Sequence, residues 1–199
     1  GEPLRVLFAG SLGDWYGPVI ESIVVECERA GDPVEFKIFG SLETWSDEFG
    51  KRAKETGVFR GRVDFDNLRR EAETADLLFL PMGFGKECAQ VERTSFKTKF
   101  LDYLSFRRPI LVWGPEYCSA VRVAREFDSA ECVTDPSPEA CREALSRLAA
   151  NSARRKTLIL NANTMYYDRF HPDRIHESLV ERIGLLIESA RSVPFTAVH

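Results

Sequence analysis

The chain has 199 residues, of which 44% are hydrophobic and 29% charged, and it carries a net charge of -4. That is enough chain for one domain with a core of its own, and the composition excludes a disordered or fibrous protein. The acidic balance argues against a dedicated nucleic-acid binder, and no apolar run reaches the roughly 20 residues that a membrane span needs.

The first element is "LRVLFAG", Leu4 to Gly10, a short apolar run closed by glycine, as in a strand buried on both faces. A chain that opens directly on a strand shows no leader peptide, and a cytoplasmic protein is expected. "PVIESIVVECERAG" follows with Val19, Ile20, Ile23, Val24 and Cys27 at helical spacing, starting near Pro18 and stopping at Gly31. "VEFKIFG", Val34 to Gly40, is a second strand. The polar "SDEFGKRAKETG" reads as a helix, "VFRGRV" as a short strand with a turn, and "DNLRREAETA" as a helix capped by Asp66 or Asn67. "DLLFLP", Asp76 to Pro81, is a central strand ended by proline.

The loop "MGFGKECAQVER" leads to a helix starting near Thr94, with Phe100, Leu101 and Leu104 as its buried stripe, and then to the buried strand in "RRPILVWG". A helix in "SAVRVAREF", a small strand in "AECVT" and helices in "PEACREALSRLAAN" and "ARRKTLILNANTMYYDRF" complete the body. The last helix closes the chain over 171–199, with Ile175, Leu179, Ile183 and Leu186 on one side. Alternating strands and helices indicate an α/β fold: a Rossmann-like parallel sheet with helices on both faces. Ligands in such sheets bind beyond the carboxyl ends of the strands, here the loops after Ala9, Phe39, Pro81 and Trp113.

Cys27, Cys88, Cys118, Cys132 and Cys141 are odd in number and widely spread, which suits reduced, mostly buried thiols rather than disulfides or a zinc site. His171 and His176 are separated by Pro172, which argues against one continuous helix presenting both to a metal. No resident metal or cofactor is expected.

The stretch "TSFKTKFLDYLSFRRPILVWG", Thr94 to Gly114, carries the functional signal. Lys97 and Lys99 fall at the start of a helix, where the backbone dipole already disfavours cations. They make sense if an anion lies between them and the free amides of Ser95 to Lys99, with Thr94, Ser95 and Thr98 adding hydroxyls. Asp102, one turn on, could accept two hydrogen bonds from a ribose. The plainer alternative is a capped helix with solvated lysines and with Asp102 paired to Lys99 or Arg107 on the surface.

This stretch resembles the segment "S/F-P-T-K-hydrophobic-hydrophobic-E-Y" of the carboxyl-terminal, donor-binding domain of glycosyltransferases with the two-domain GT-B fold (group 1, or family 4-like). "RVLFAGSL", "VEFKIFG", "VFRGRVDFDNLRREAETADLLFLP" and "YYDRFHPDRIHESLVERI" extend the resemblance over nearly the whole chain. It implies a nucleoside-diphosphate sugar as donor and transfer of its sugar to an acceptor hydroxyl. Gly10 and Ser11 would let amides approach the diphosphate, and Gly61, Arg62 and Val63 would flank the base. Ser95, Phe96 and Thr98 would offer amides and hydroxyls to phosphate, Lys99 matches the family's lysine, and Asp102 stands where the family has its ribose-binding glutamate. No catalytic residue is assigned.

The sequence departs from the pattern in four places. Thr94 stands where the family has a first glutamate, and the basic pair of the first glycine turn is missing from "GSLGDWYGP", which offers Asp14 instead. Lys97 replaces the usual proline, and Arg107 or Arg108 the usual glycine before the next strand. The resemblance also accounts for only one of two halves, so an N-terminal acceptor-binding domain or a partner chain is expected to be missing, and the isolated domain is expected to be inactive. The bare Gly1 before an immediate strand hints at a cut. The alternative is a GT-B-like module that has lost donor chemistry and serves in assembly or regulation; an exposed apolar patch at Trp15, Tyr16 and Phe84 would be its sign.

Overall fold

The computed structural model describes residues 2–13 and 15–192, and the chain divides into two compact units, Gly1–Asn163 and Thr164–His199. The first is built on five parallel strands: β1 (Leu4–Ser11), β2 (Val34–Ser41), β3 (Leu77–Pro81), β4 (Ile110–Trp113) and β5 (Glu131–Val133), in the order β2-β1-β3-β4-β5. Every residue of β3 and β4 is buried, which explains why these strands read as unbroken apolar runs rather than as alternation. "VFRGRV" does not form a strand. It contributes one bridge, Phe59 beside Ile38, on the outer edge of β2.

Helices α1 (Gly17–Ala30), α2 (Asp47–Glu55), α3 (Phe65–Thr74), α4 (Ala89–Thr94), α5 (Thr98–Ser105), α6 (Ser119–Phe127) and α7 (Pro138–Ala150) connect and follow the strands, and α8 (Ser152–Met165) runs to the end of the unit. Local chemistry sets their ends. Gly31 adopts the left-handed conformation (φ 70°) that stops α1, and Ser46 and Ser137 accept the amides of Phe49 and Ala140 to start α2 and α7. The cap of α3 is Asp64, which accepts from the Asn67 amide at 2.9 Å, not Asp66 or Asn67 as the sequence suggested. The loop expected over "MGFGKECAQVER" contains α4, and the next helix starts at Thr98 rather than near Thr94. In α5 the third inward residue is Tyr103 rather than Leu101, which is half-buried.

The sheet order reverses between β1 and β3. From β1 the chain steps outward to β2, then crosses back to lay β3 on the other side, with Val6 opposite Leu77. At the amino ends of these strands the Arg5 guanidinium grips Asp76 through two contacts of 2.9 and 3.0 Å, and the Arg5 amide donates to the same carboxylate. Those bonds pin the register and hold the Asp76 carboxyl below its usual range. All five cysteines are free thiols, four of them buried.

The second unit takes in the last two residues of α8 and then a π-helical turn, Tyr166–Phe170, next to which Tyr167 stacks on His171 at 5.7 Å between ring centres. Helix α9 (Pro172–Ser192) then starts at Pro172, so His171 and His176 do not share a helix. Ile175, Leu179, Ile183 and Leu186 are exposed along it. The final helix expected over 171–199 is described as far as Ser192. No helix among the described residues is long and apolar enough to cross a membrane.

Leu42, in the loop after β2, is a non-glycine residue at φ 63° with 70% of its surface exposed. An L-residue in this region carries a steric cost of about 1–2 kcal/mol, partly offset by the greater freedom a glycine would have in the unfolded chain. Leu42→Gly is therefore expected to stabilise the protein by about 0.5–1 kcal/mol, read as a raised denaturant midpoint at constant slope.

Candidate functional site

A cavity of about 390 Å³ opens at the carboxyl ends of β1 and β2. Ala9 and Gly10 of β1 and Phe39, Gly40 and Ser41 of β2 contribute to it; Arg62 and Val63 flank it from the segment before α3, Phe65 and Leu68 from α3 itself, and Thr98, Lys99, Asp102 and Tyr103 from α5. Its size falls in the range of small-ligand sites. Two loops singled out from the sequence, those after Ala9 and Phe39, lead from it; the strand ends at Pro81 and Trp113 do not line it.

The floor is made possible by two glycines in register. Gly10 and Gly40 are paired across β1 and β2, and a methyl group on Gly40 would come within 2.2 Å of the Gly10 carbonyl. Gly10 has φ 154°, and a methyl group there would lie 1.7 Å from the ammonium nitrogen of Lys99. The end of the Lys99 side chain thus rests against the Gly10 backbone, with its nitrogen 4.1 Å from the centre of the Phe8 ring. Beside it, the Tyr103 hydroxyl accepts the Ala9 amide at 2.9 Å, so β1 and α5 are joined directly at the cavity wall. Burial holds the Tyr103 phenol well above its usual range, and it stays protonated.

The two lysines at the start of α5 have different fates. Lys97 is the residue preceding the helix, and its ammonium lies 3.0 Å from the carboxylate of Glu92, whose side chain is fully buried. Glu92 also accepts from the Tyr16 hydroxyl and the Gly83 amide, each at 3.4 Å, and Lys97 donates to Tyr16 at 3.1 Å. Burial pulls the Lys97 pKa down, but the hydrogen bonds it donates to Glu92 and Tyr16 outweigh it and the net shift is upward. The anion that makes a cation tolerable at this helix end is thus a carboxylate of the protein itself, ten positions before Asp102. Lys99 has no such partner. Burial, then the charge of Lys97, lower its pKa to about 7, and Asp102 opposes them only weakly.

Asp102 is exposed, lines the cavity and forms no ion pair among the described residues, so the pairing with Lys99 or Arg107 that the sequence allowed is not made. Of the residues carried over from the resemblance, the structure brings Gly10, Arg62, Val63, Thr98, Lys99 and Asp102 to one cavity. Ser11, Gly61, Ser95 and Phe96 lie outside its lining. The Ser11 hydroxyl accepts the Gly13 amide, and Gly61 (φ 73°) receives the Gly40 amide on its carbonyl. The Ser95 amide is spent on Val91 at the end of α4, which removes it from the set of free donors, and Phe96 packs edge-on against Phe100. The amides of Lys97, Thr98 and Lys99 have no backbone partner among the described residues.

Phe39, Gly40, Ser41, Phe65, Leu68 and Tyr103 line the cavity without having been assigned to it individually. A signal was present for β2, whose carboxyl end was marked as a place to look; nothing in the α3 pattern told its cavity side from an ordinary half-buried face. Asp14 lies outside the described residues. Trp15, Tyr16 and Phe84 are part-buried, and Phe84 packs 5.6 Å from the ring of Trp113, so they form no exposed apolar patch. Thr94 ends α4 with its hydroxyl on the Gln90 carbonyl, and Arg107 (φ 52°), not Arg108, occupies the left-handed position where the family has glycine. No group of three potential metal ligands exists among the described residues.

Against this geometry, comparison with solved structures is informative. The chain resembles the C-terminal domain of a group 1 family glycosyl transferase from Francisella tularensis at 14% identity, covering 86% of this chain and 89% of that one, with a TM-score of 0.55. It resembles sucrose-phosphate synthase from Thermosynechococcus elongatus at 16% identity (94% of this chain, 46% of that one, TM-score 0.69). It also resembles Anabaena HepE, solved with UDP and glucose, at 14% identity (92% and 48%, TM-score 0.67). The chain thus has the fold of the C-terminal domain of a GT-B glycosyltransferase, and it spans about half the length of the two longer proteins. No family model matches the sequence, and no curated protein sequence matches it.

Lys97→Met would leave the Glu92 carboxylate buried without its counter-ion. Such a loss typically costs about 3–5 kcal/mol, so chemical denaturation should show a fall of that order, and the double variant Lys97→Met, Glu92→Leu should recover most of it.

Proposed function

We propose that this chain is the donor-binding domain of a glycosyltransferase and that its cavity takes a nucleoside-diphosphate sugar. The observation that carries the reading is the convergence of Gly10, Lys99 and Asp102, three residues distant in sequence or chemistry, on one opening at the strand ends. Each suits one part of such a ligand. The unpaired amides of Thr98 and Lys99, at the positive end of α5, and the Lys99 ammonium suit the diphosphate oxygens. The exposed Asp102 carboxylate suits a pair of ribose hydroxyls. Arg62, Val63, Phe65 and Leu68 offer a mixed polar and apolar wall for the base. A structural neighbour, Anabaena HepE, was solved with UDP and glucose, which supports a sugar nucleotide as the kind of ligand.

In this reading, transfer to an acceptor hydroxyl requires a second domain or chain facing the cavity, because the chain spans half of its longer structural neighbours. The departing diphosphate would be stabilised by preorganised amides and a cation, with no metal called for. Free thiols throughout are consistent with a reducing, cytoplasmic setting.

Titration calorimetry with UDP, GDP and ADP at pH 6.5 tests the proposal. One of the three is expected to bind in the micromolar to millimolar range, and Asp102→Ala is expected to weaken it at least tenfold, the loss of a charge-assisted contact of about 1.5–3 kcal/mol, while leaving the thermal midpoint unchanged. No binding of any nucleotide to the folded chain at millimolar concentration would reject it.

A further inference from the structure

The ammonium of Lys99 sits in an unusual place for a charge. Its nitrogen lies over the Phe8 ring and against Gly10, in the wall of the cavity, and it forms no ion pair among the described residues. The charged and titratable groups that face it, among the described residues, come from each surrounding element. Lys97 precedes it on the same helix end, and Asp102 follows on the next turn. Tyr16, in the loop after β1, presents its ring at 5.8 Å, and Arg62 lines the cavity from the segment before α3. The remaining neighbours are already committed: Glu92 of α4 is spent on Lys97, and the Tyr103 hydroxyl on Ala9. Two of the facing groups are cations, and the one carboxylate among them, Asp102, is exposed and makes no ion pair with Lys99. Among the described residues the ammonium is favoured only by the unpaired, more distant charge of Asp102, whereas an anion entering the cavity would supply a direct partner.

We propose that Lys99 takes up a proton from solvent when the donor's diphosphate enters, so that donor affinity falls as pH rises through neutrality. This rests on the donor-binding reading above. The lowered pKa of Lys99, about 7 in the free protein, agrees with the geometry. The sign follows directly. A group half-protonated near pH 7 when free and fully protonated when bound makes binding consume a proton above pH 7, so affinity drops up to tenfold per pH unit there, and it is nearly flat well below pH 7, where the free lysine already carries its proton. The Lys97 ammonium takes no part, since Glu92 and Tyr16 raise its pKa and keep it charged throughout.

The test uses UDP-glucose, GDP-mannose and ADP-glucose, whose diphosphates do not themselves titrate near neutrality. For whichever binds, calorimetry from pH 6.5 to 8.5 in buffers of different ionisation heat should show affinity falling roughly 25-fold and close to one proton taken up at pH 8. In Lys99→Arg, which is always charged, the pH slope should vanish. In parallel, the side-chain carbon resonances of the ligand-free protein should include one lysine with a midpoint near 7 that disappears in Lys99→Arg. Binding that varies less than threefold over this range without proton uptake would overturn the linkage while leaving the donor pocket standing. A Lys99 midpoint above 10 in the free protein would do the same. Absence of binding at every pH to a folded chain would remove both.

Discussion

The contact between the end of Lys99 and the backbone of Gly10 is the constraint on which the site depends. It requires that β1 end without a side chain, that β1 and β2 approach closely enough for Gly40 to face the Gly10 carbonyl, and that α5 be held tightly over the strand. The Tyr103 hydroxyl on the Ala9 amide provides that hold. With these conditions met, a cation is placed at the carboxyl end of a parallel sheet beside unsatisfied helix amides, the arrangement from which anion sites are generally built.

The buried Glu92 has a complementary role. A fully buried carboxylate is costly unless paired and hydrogen-bonded. Here Lys97, Tyr16 and the Gly83 amide all contribute. Through them, one side chain of α4 ties together the loop after β1, the loop after β3 and the start of α5. It also divides the lysine pair. Lys97 serves the scaffold, and Lys99 is left with its charge unanswered. Relative to the GT-B pattern that the sequence resembles, the basic pair of the first glycine turn is missing and the lysine at the start of α5 is kept as Lys99. The family's first glutamate has no counterpart at Thr94, whose hydroxyl merely closes α4.

Much of the fold was legible from residue order. β1 to β4, the helices between them and the parallel arrangement follow from apolar runs closed by glycine or proline and from 3.6-residue spacing, which are local properties. The failures were local too, but were settled by distant contacts. α4 lies in a stretch with glycine and mixed polarity, and it is a helix because Glu92 is drawn into the interior. "VFRGRV" has the composition of a strand, yet its backbone bonds to β2, through Val58, Arg60 and Gly61, close only a single bridge, Phe59 beside Ile38, too little for a ladder. Tyr103 replaces Leu101 in the buried stripe because its hydroxyl has an amide to meet on β1, a fact no helical wheel contains.

The sequence by itself determined the class of fold, the helix end at which an anion is expected and the short roster of residues around it, because periodicity, capping and turn chemistry act over a few positions. Only the tertiary structure decided which of those residues face one another. Ser95 was lost to a helix end, Lys97 to a buried carboxylate and Gly61 to a backbone bond with β2, whereas Lys99 and Asp102 were left open to the cavity. Those pairings join residues from four to twenty-one positions apart, and which of them forms is fixed only when the sheet closes and the helices pack against it.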